Sequence, residues 1–305
     1  MKFIKSIPMA TPSIALALAT LGNLLLLPFG DVVRNVLGVL SFVTLNIFAL
    51  KLCLDRKHAA EELKTPIPLS VLPTATMAIM ILTTYIEFLG QAAEVIWYTA
   101  LAVHVLIMLV FAKRFVIGFK LGTVFPTWFV AGVGIVTASV TAPAGAQTIA
   151  RIAFGVGFVL YFAVLLLVII RMNKVRIFPE PARNTIAIFT APMALLTVGY
   201  FNAFNEINPA FLYFLLIGAV VSYVYVSGMM FSLIKINFYP TCAAFTFPYV
   251  ISAMAFRIGS RFIYNRHGIE FLIPIADMTM WIAVGVVVFV LVHYVRYFRF
   301  WLTYR

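Results

Sequence analysis

Charge is scarce in this 305-residue chain: 10% of its residues are Asp, Glu, Lys or Arg, while 64% are hydrophobic. A soluble domain carries about 25% charged residues, so a water-covered globular surface is excluded. Mean hydropathy is +1.07, and the apolar residues fall in long runs, as in an integral membrane protein. Cysteine is scarcer still. Cys53 and Cys242 lie in different apolar runs, which excludes a metal-ligand cluster and a disulfide framework. The chain also lacks HExxH, a P-loop, GxSxG and any Cys/His zinc spacing. Gly155-Val-Gly157 has no third glycine and sits inside an apolar run, so it is not a nucleotide loop. Nothing here points to an enzyme or to a cofactor.

The charge that remains is basic, with a net value of +12. A nucleic-acid binder shares that balance, but here the charges stand between apolar runs, where they orient membrane spans. Nucleic acid is therefore not an expected partner; a lipid bilayer is.

Hydropathy and punctuation predict ten transmembrane spans within a single domain, 1–305. The first runs from about Ser6 to Leu27. Its flanking Lys2 and Lys5 resemble a signal peptide, but Pro8 and Pro12 interrupt the run, which reads as an uncleaved span. A turn at Pro28-Phe29-Gly30-Asp31 leads into the second, and the ninth contains Phe-Thr-Phe-Pro at 245–248. One side of this topology carries 17 of the 22 basic residues; the other carries Arg34, Arg151, Arg257, Arg261 and Arg266. The positive-inside rule then puts both termini in the cytoplasm of a multi-pass protein in the inner or plasma membrane.

The prolines sort the spans into two kinds. Spans 1, 3, 7 and 9 hold internal prolines, Pro12, Pro73, Pro192 and Pro248, and span 5 opens with Pro126 and carries Gly132 and Gly134 further in. These reference prolines recur every 53 to 66 residues, which suggests five helical hairpins on one plan. A proline lacks the N–H that would serve the carbonyl four residues back, so each such span should bend. For Pro248 the freed carbonyl is that of Ala244. Hydroxyl residues follow the odd spans, among them Thr11, Ser13, Thr74, Thr76, Thr190, Thr246 and Ser252, while the even spans show faces such as FVLYFAVLLLVII (158–170). The expected fold is all-α: ten transmembrane helices as five hairpins around a central pore, with bent odd helices inside and straight even helices outside.

The middles of the odd spans contain no Asp, Glu, Lys, Arg or His. Proton relays and cation pathways use such groups, so a neutral bore with basic residues at its mouths suits an anion better. Arg257 and Arg261 are candidates for the outer mouth, Arg183 and Lys235 for the inner one. Each also reads, singly, as an arginine or lysine reaching to lipid headgroups. His104 lies in an outer span and reads first as a helix–helix hydrogen-bond partner.

Five segments, IPMATPSIALALATLGN (7–23), SVLPTATMAIMIL (70–82), FPTWFVAGVGIVTAS (125–139), IAIFTAPMALLTVGY (186–200) and AAFTFPYVISAMAF (243–256), carry a resemblance over nearly the whole chain. Their order and spacing resemble the tellurite-resistance/dicarboxylate transporter family, which includes the bacterial TehA proteins and the plant slow-type guard-cell anion channels. Relatives often carry a further proline in span 5, where Ala131-Gly132 stands here. The resemblance implies a homotrimer with a pore in each protomer, lined at Pro12, Pro73, Gly132, Pro192, Thr246 and Pro248. It implies that Phe247 plugs that pore, and that small inorganic anions pass. The alternative it leaves open is a secondary carrier exporting a C4-dicarboxylate such as malate, sulfite or tellurite-type oxyanions.

Overall fold

The computed structural model describes residues 2–175 and 178–303, without the side chains of residues 2, 3, 301 and 302. Arg176 and Arg305, two of the seventeen basic residues counted on one side, lie outside the described residues. Among the described residues every regular element is helical. Among the described residues eight helices are long and apolar enough to cross a membrane, so this is a multi-pass membrane protein.

The first of them, Thr11–Leu54, has 44 residues, about 66 Å at 1.5 Å per residue and twice what a bilayer core needs. It is two helices, not one. Gly30 takes φ 75° and ψ −175°, a conformation open to glycine and strained for other residues, and the chain reverses there. Ser41 then donates to the carbonyl of Ala15 at 2.7 Å, and Lys51 to that of Ile7 at 2.6 Å. These bonds hold the arms α1 (11–29) and α2 (31–54) antiparallel.

The longer elements that follow are α3 (Pro73–Thr83), α4 (Gln91–Phe111) and α5 (Trp128–Thr141). Next come α6 (Gln147–Lys174) and α7 (Ala191–Ala203). The last are α8 (Pro209–Leu233), α9 (Thr246–His267) and α10 (Leu272–Thr303). The odd elements touch in a closed cycle: α1 packs on α3, α3 on α5, α5 on α7, α7 on α9, and α9 on α1 again. The even elements lie behind them. Burial divides the two sets. In the spans containing α3, α7 and α9, 61%, 83% and 72% of the most apolar window is buried. For the spans of α4, α6, α8 and α10 the shares are 22%, 28%, 33% and 39%. Large apolar side chains such as Val159, Leu166 and Val221 point outward, as a lipid-facing surface requires.

The odd spans are broken in a consistent way, and not as simple kinks. A short helical piece precedes each: Pro66–Val71 before α3, the 3₁₀ turn Asn184–Thr190 before α7, and the 3₁₀ turn Pro240–Phe245 before α9. Lys2–Ser6 precedes α1. Each proline then falls in the first turn of the second piece: Pro12, Pro73 and Pro192 at the first or second position, Pro248 at the third. At those positions a helix has no use for the missing N–H, so proline marks the junction without costing a bond. The span of α5 breaks without proline, through the 3₁₀ turn Gly134–Val136.

Threonines complete the junctions. Thr11 donates to the carbonyl of Pro8 at 2.7 Å, Thr74 to Val71 at 2.7 Å, Thr190 to Ala187 at 3.1 Å and Thr246 to Ala243 at 2.7 Å. In each case the hydroxyl serves a carbonyl just ahead of the break. A membrane offers such a carbonyl no water, so the partner has to come from the chain.

Candidate functional site

The breaks enclose a cavity of ≈ 330 Å³. Its wall is drawn almost wholly from the odd spans: Ser13 and the segment before it, Val71, Thr74 and Met77, Phe129, Val133 and Gly134, Pro192 and Leu195, Ala244, Phe247 and Pro248. The exposed Lys5 and the partly exposed Glu62 also line it, which sets its open end beside the short N-terminal pieces. One turn past the lining residues Met77, Leu195 and Phe247, the buried Ile81, Val198 and Ile251 no longer line the cavity.

Four half-helices of eleven residues or more, α1, α3, α7 and α9, begin at this cavity. A helix N-terminus carries roughly +0.5 of an elementary charge from its free N–H groups. The opposite ends are treated differently. Arg34 donates to the carbonyl of Thr84 at 2.5 Å just past α3, and Arg151 donates to that of Ala203 at 3.2 Å at the end of α7. Arg257 donates to Leu24, near the end of α1, at 2.9 Å. Cations at helix C-termini offset the negative end of the dipole. Arg34 is held there by Asn23 at 2.9 Å and by the Tyr85 ring at 4.3 Å. The Tyr85 hydroxyl in turn donates to the carbonyl of Ala19 at 2.5 Å. The cavity thus faces four positive helix ends, three of which have their negative counterparts met by an arginine elsewhere, and no charged side chain lies in its inner half.

The structure brings some of the sequence candidates together and separates others. Phe247, Pro248 and Pro192 line the cavity. Pro12, Pro73 and Thr246 are buried at the junctions beside it, with neighbours Ser13, Thr74 and Phe247 forming the wall. Gly132 faces away: a Cβ there would meet Leu160 and Val164 of α6 at 3.5 Å. Gly134 lines the cavity in its place, and a Cβ there would stand 2.9 Å from Met77 Sδ and 3.3 Å from His104 Cε1. Arg183 and Lys235 are exposed and off the cavity wall. Arg257 is bonded to Leu24, and Arg261 is exposed one turn further on. Arg257 stands eleven residues beyond Thr246, about 16 Å along α9.

His104 is fully buried and its Nδ1 meets Thr76 Oγ1 at 2.8 Å, joining α4 to α3. The hydroxyls, expected to face the bore, mostly bond carbonyls. Ser252 reaches both Pro248 at 2.8 Å and Thr190 at 3.2 Å, and Ser139 reaches Ala150 at 2.7 Å. Sequence reasoning missed Lys5, Glu62 and Met77 as wall residues. The first two read as loop charges and the third as packing, and no spacing signal sets them apart.

Among the described residues no cluster of His, Cys, Asp and Glu could hold a metal ion. No curated protein matches the chain. A family model described as a voltage-dependent anion channel matches residues 4–299, nearly the full length and every element that builds the ring and its cavity. The chain belongs to this voltage-dependent anion channel (SLAC1) family.

Proposed function

We propose that the protein conducts small inorganic anions across the membrane, through the ring of odd spans, and that Phe247 is the gate. The single observation that carries this reading is the cavity at the junctions of the broken spans, free of charged side chains in its inner half, with Phe247 and Pro248 on its wall. Counting the reversal at Gly30 and the short apolar element Trp128–Thr141 brings the eight long helices to ten crossings, five hairpins in one ring. Basic residues concentrate at the open end, so that end faces the cytoplasm together with both termini. The outward apolar faces of the even helices carry the lipid contact and, in a homotrimer, the contacts between copies.

An aromatic ring across a narrow apolar bore blocks by bulk and by excluding water. Its edge is partly positive and tolerates an anion better than a cation. Phe247 sits one residue ahead of Pro248, at the start of α9, so a small change at the 3₁₀-to-α junction would swing it. Wild-type protein in liposomes should pass chloride slowly, and Phe247→Ala should pass it markedly faster. Equal rates from correctly assembled wild type and variant would remove Phe247 from this role.

A second reading has its own support. A cavity that opens beside the N-terminal pieces and does not extend to the next turn of the odd helices is also what a carrier presents in one of its two states. Saturable uptake of malate or sulfite with counterflow would favour that reading; flux linear in anion concentration favours the channel.

A further inference from the structure

Lys51 is fully buried, yet its ammonium lies just behind the cavity wall. It donates to the carbonyl of Ile7 at 2.6 Å and forms an ion pair with Glu62, and both of those residues line the cavity. Glu62 itself is part exposed, with its second oxygen 3.9 Å from His58 Nε2. A buried ammonium without an anionic partner is strongly destabilising, so this site has to be filled by a negative group. Within the helix that supplies it, Arg56–Glu62, the carboxylate has the long contact with His58 to set against an unfavourable position. Glu62 is its last residue and no basic residue stands in that last turn, although the dipole there disfavours a carboxylate.

We propose that Lys51 forms an anion site at the open end of the cavity, and that the Glu62 carboxylate is a tethered occupant which competes with permeating small inorganic anions. A carboxylate on the wall of an anion pathway is otherwise a repulsive charge. Paired with Lys51 it becomes a plug that a mobile anion has to displace, or that leaves when the Arg56–Glu62 helix shifts. Removing its charge vacates the site and leaves the ammonium to recruit an ion from the cavity. The inference rests on the anion-conduit reading above.

The test uses the full-length protein, with bromide as the probe. In crystals soaked in bromide, anomalous scattering should place an ion beside Lys51 Nζ in Glu62→Gln and in Glu62→Ala, and none there in wild type. In the Phe247→Ala background, Glu62→Gln should raise bromide flux several-fold at low bromide, and adding Lys51→Met should abolish the gain. Absence of bromide at Lys51 in both Glu62 variants would overturn the proposal, as would unchanged or reduced flux in Phe247→Ala/Glu62→Gln. If Phe247→Ala alone carries no bromide, the conduit reading fails, and the ion position in the Glu62 variants still decides the site.

Discussion

The guanidinium of Arg257 donates to the carbonyl of Leu24 at 2.9 Å, joining α9 to α1 across 233 residues of chain. This bond helps close the ring, because α9 and α1 are its last and first members. Arg257→Met should therefore lower stability by about 1.5–3 kcal/mol, the worth of a hydrogen bond to a charged group. Thermal unfolding in detergent would register the loss, and reversal potentials would stay where they were. A changed anion preference with unchanged stability would instead make Arg257 part of a pore mouth.

Tight packing at the α5 break makes a second expectation. A Cβ on Gly157 would lie 2.1 Å from Val136 Cγ2, and Val136 is fully buried. Gly157→Ala should cost about 1–3 kcal/mol by overpacking. Combined with Val136→Ala, which opens the space, the cost should fall short of the sum of the two single losses. Additive losses in denaturation experiments would place the strain elsewhere.

Prolines and threonines at the junctions are expected to differ in effect. Pro192 stands at the second position of α7, where no hydrogen bond depends on it. Pro192→Ala should change stability by no more than about 1 kcal/mol. Thr190→Val removes the hydroxyl bond to the Ala187 carbonyl and should cost about 0.5–1.5 kcal/mol, the net worth of one hydrogen bond. Side-by-side melting curves of the two variants check the order.

The lipid-facing surface can be tested at Val221, which is 63% exposed near the middle of α8. Val221→Arg should raise the insertion cost of that helix by about 2.5–3.5 kcal/mol. Yield of membrane-inserted protein is the measurement. Normal yield would mean that this face meets protein or water.

Much of the ring is legible in the sequence because its signals are local. Proline marks four of the five junctions, in spans 1, 3, 7 and 9, and Gly30 marks the first reversal by a backbone angle other residues avoid. The charge-free middles of the odd spans likewise stand out residue by residue. What was not legible depends on direction or on distant chain. Gly132 and Gly134 are two residues apart, roughly 200° around a helix, and no rule of composition says which one meets the cavity. The hydroxyls were legible as a set belonging to the odd spans, but their partners are carbonyls freed at the breaks, not an ion path. Arg257 and Lys51 each bond a carbonyl more than 40 residues away in sequence, Leu24 and Ile7. Their roles therefore emerge only when the first and last elements meet and the N-terminal segment folds over α2.

The central claim is that a cavity lined by helix N-termini, with Phe247 on its wall and no charged side chain in its inner half, selects for negative ions. Planar-bilayer recordings of Phe247→Ala under a potassium chloride gradient test it most directly. The reversal potential should lie close to the equilibrium potential of chloride. A reversal near that of potassium, or no current from intact protein, would contradict it.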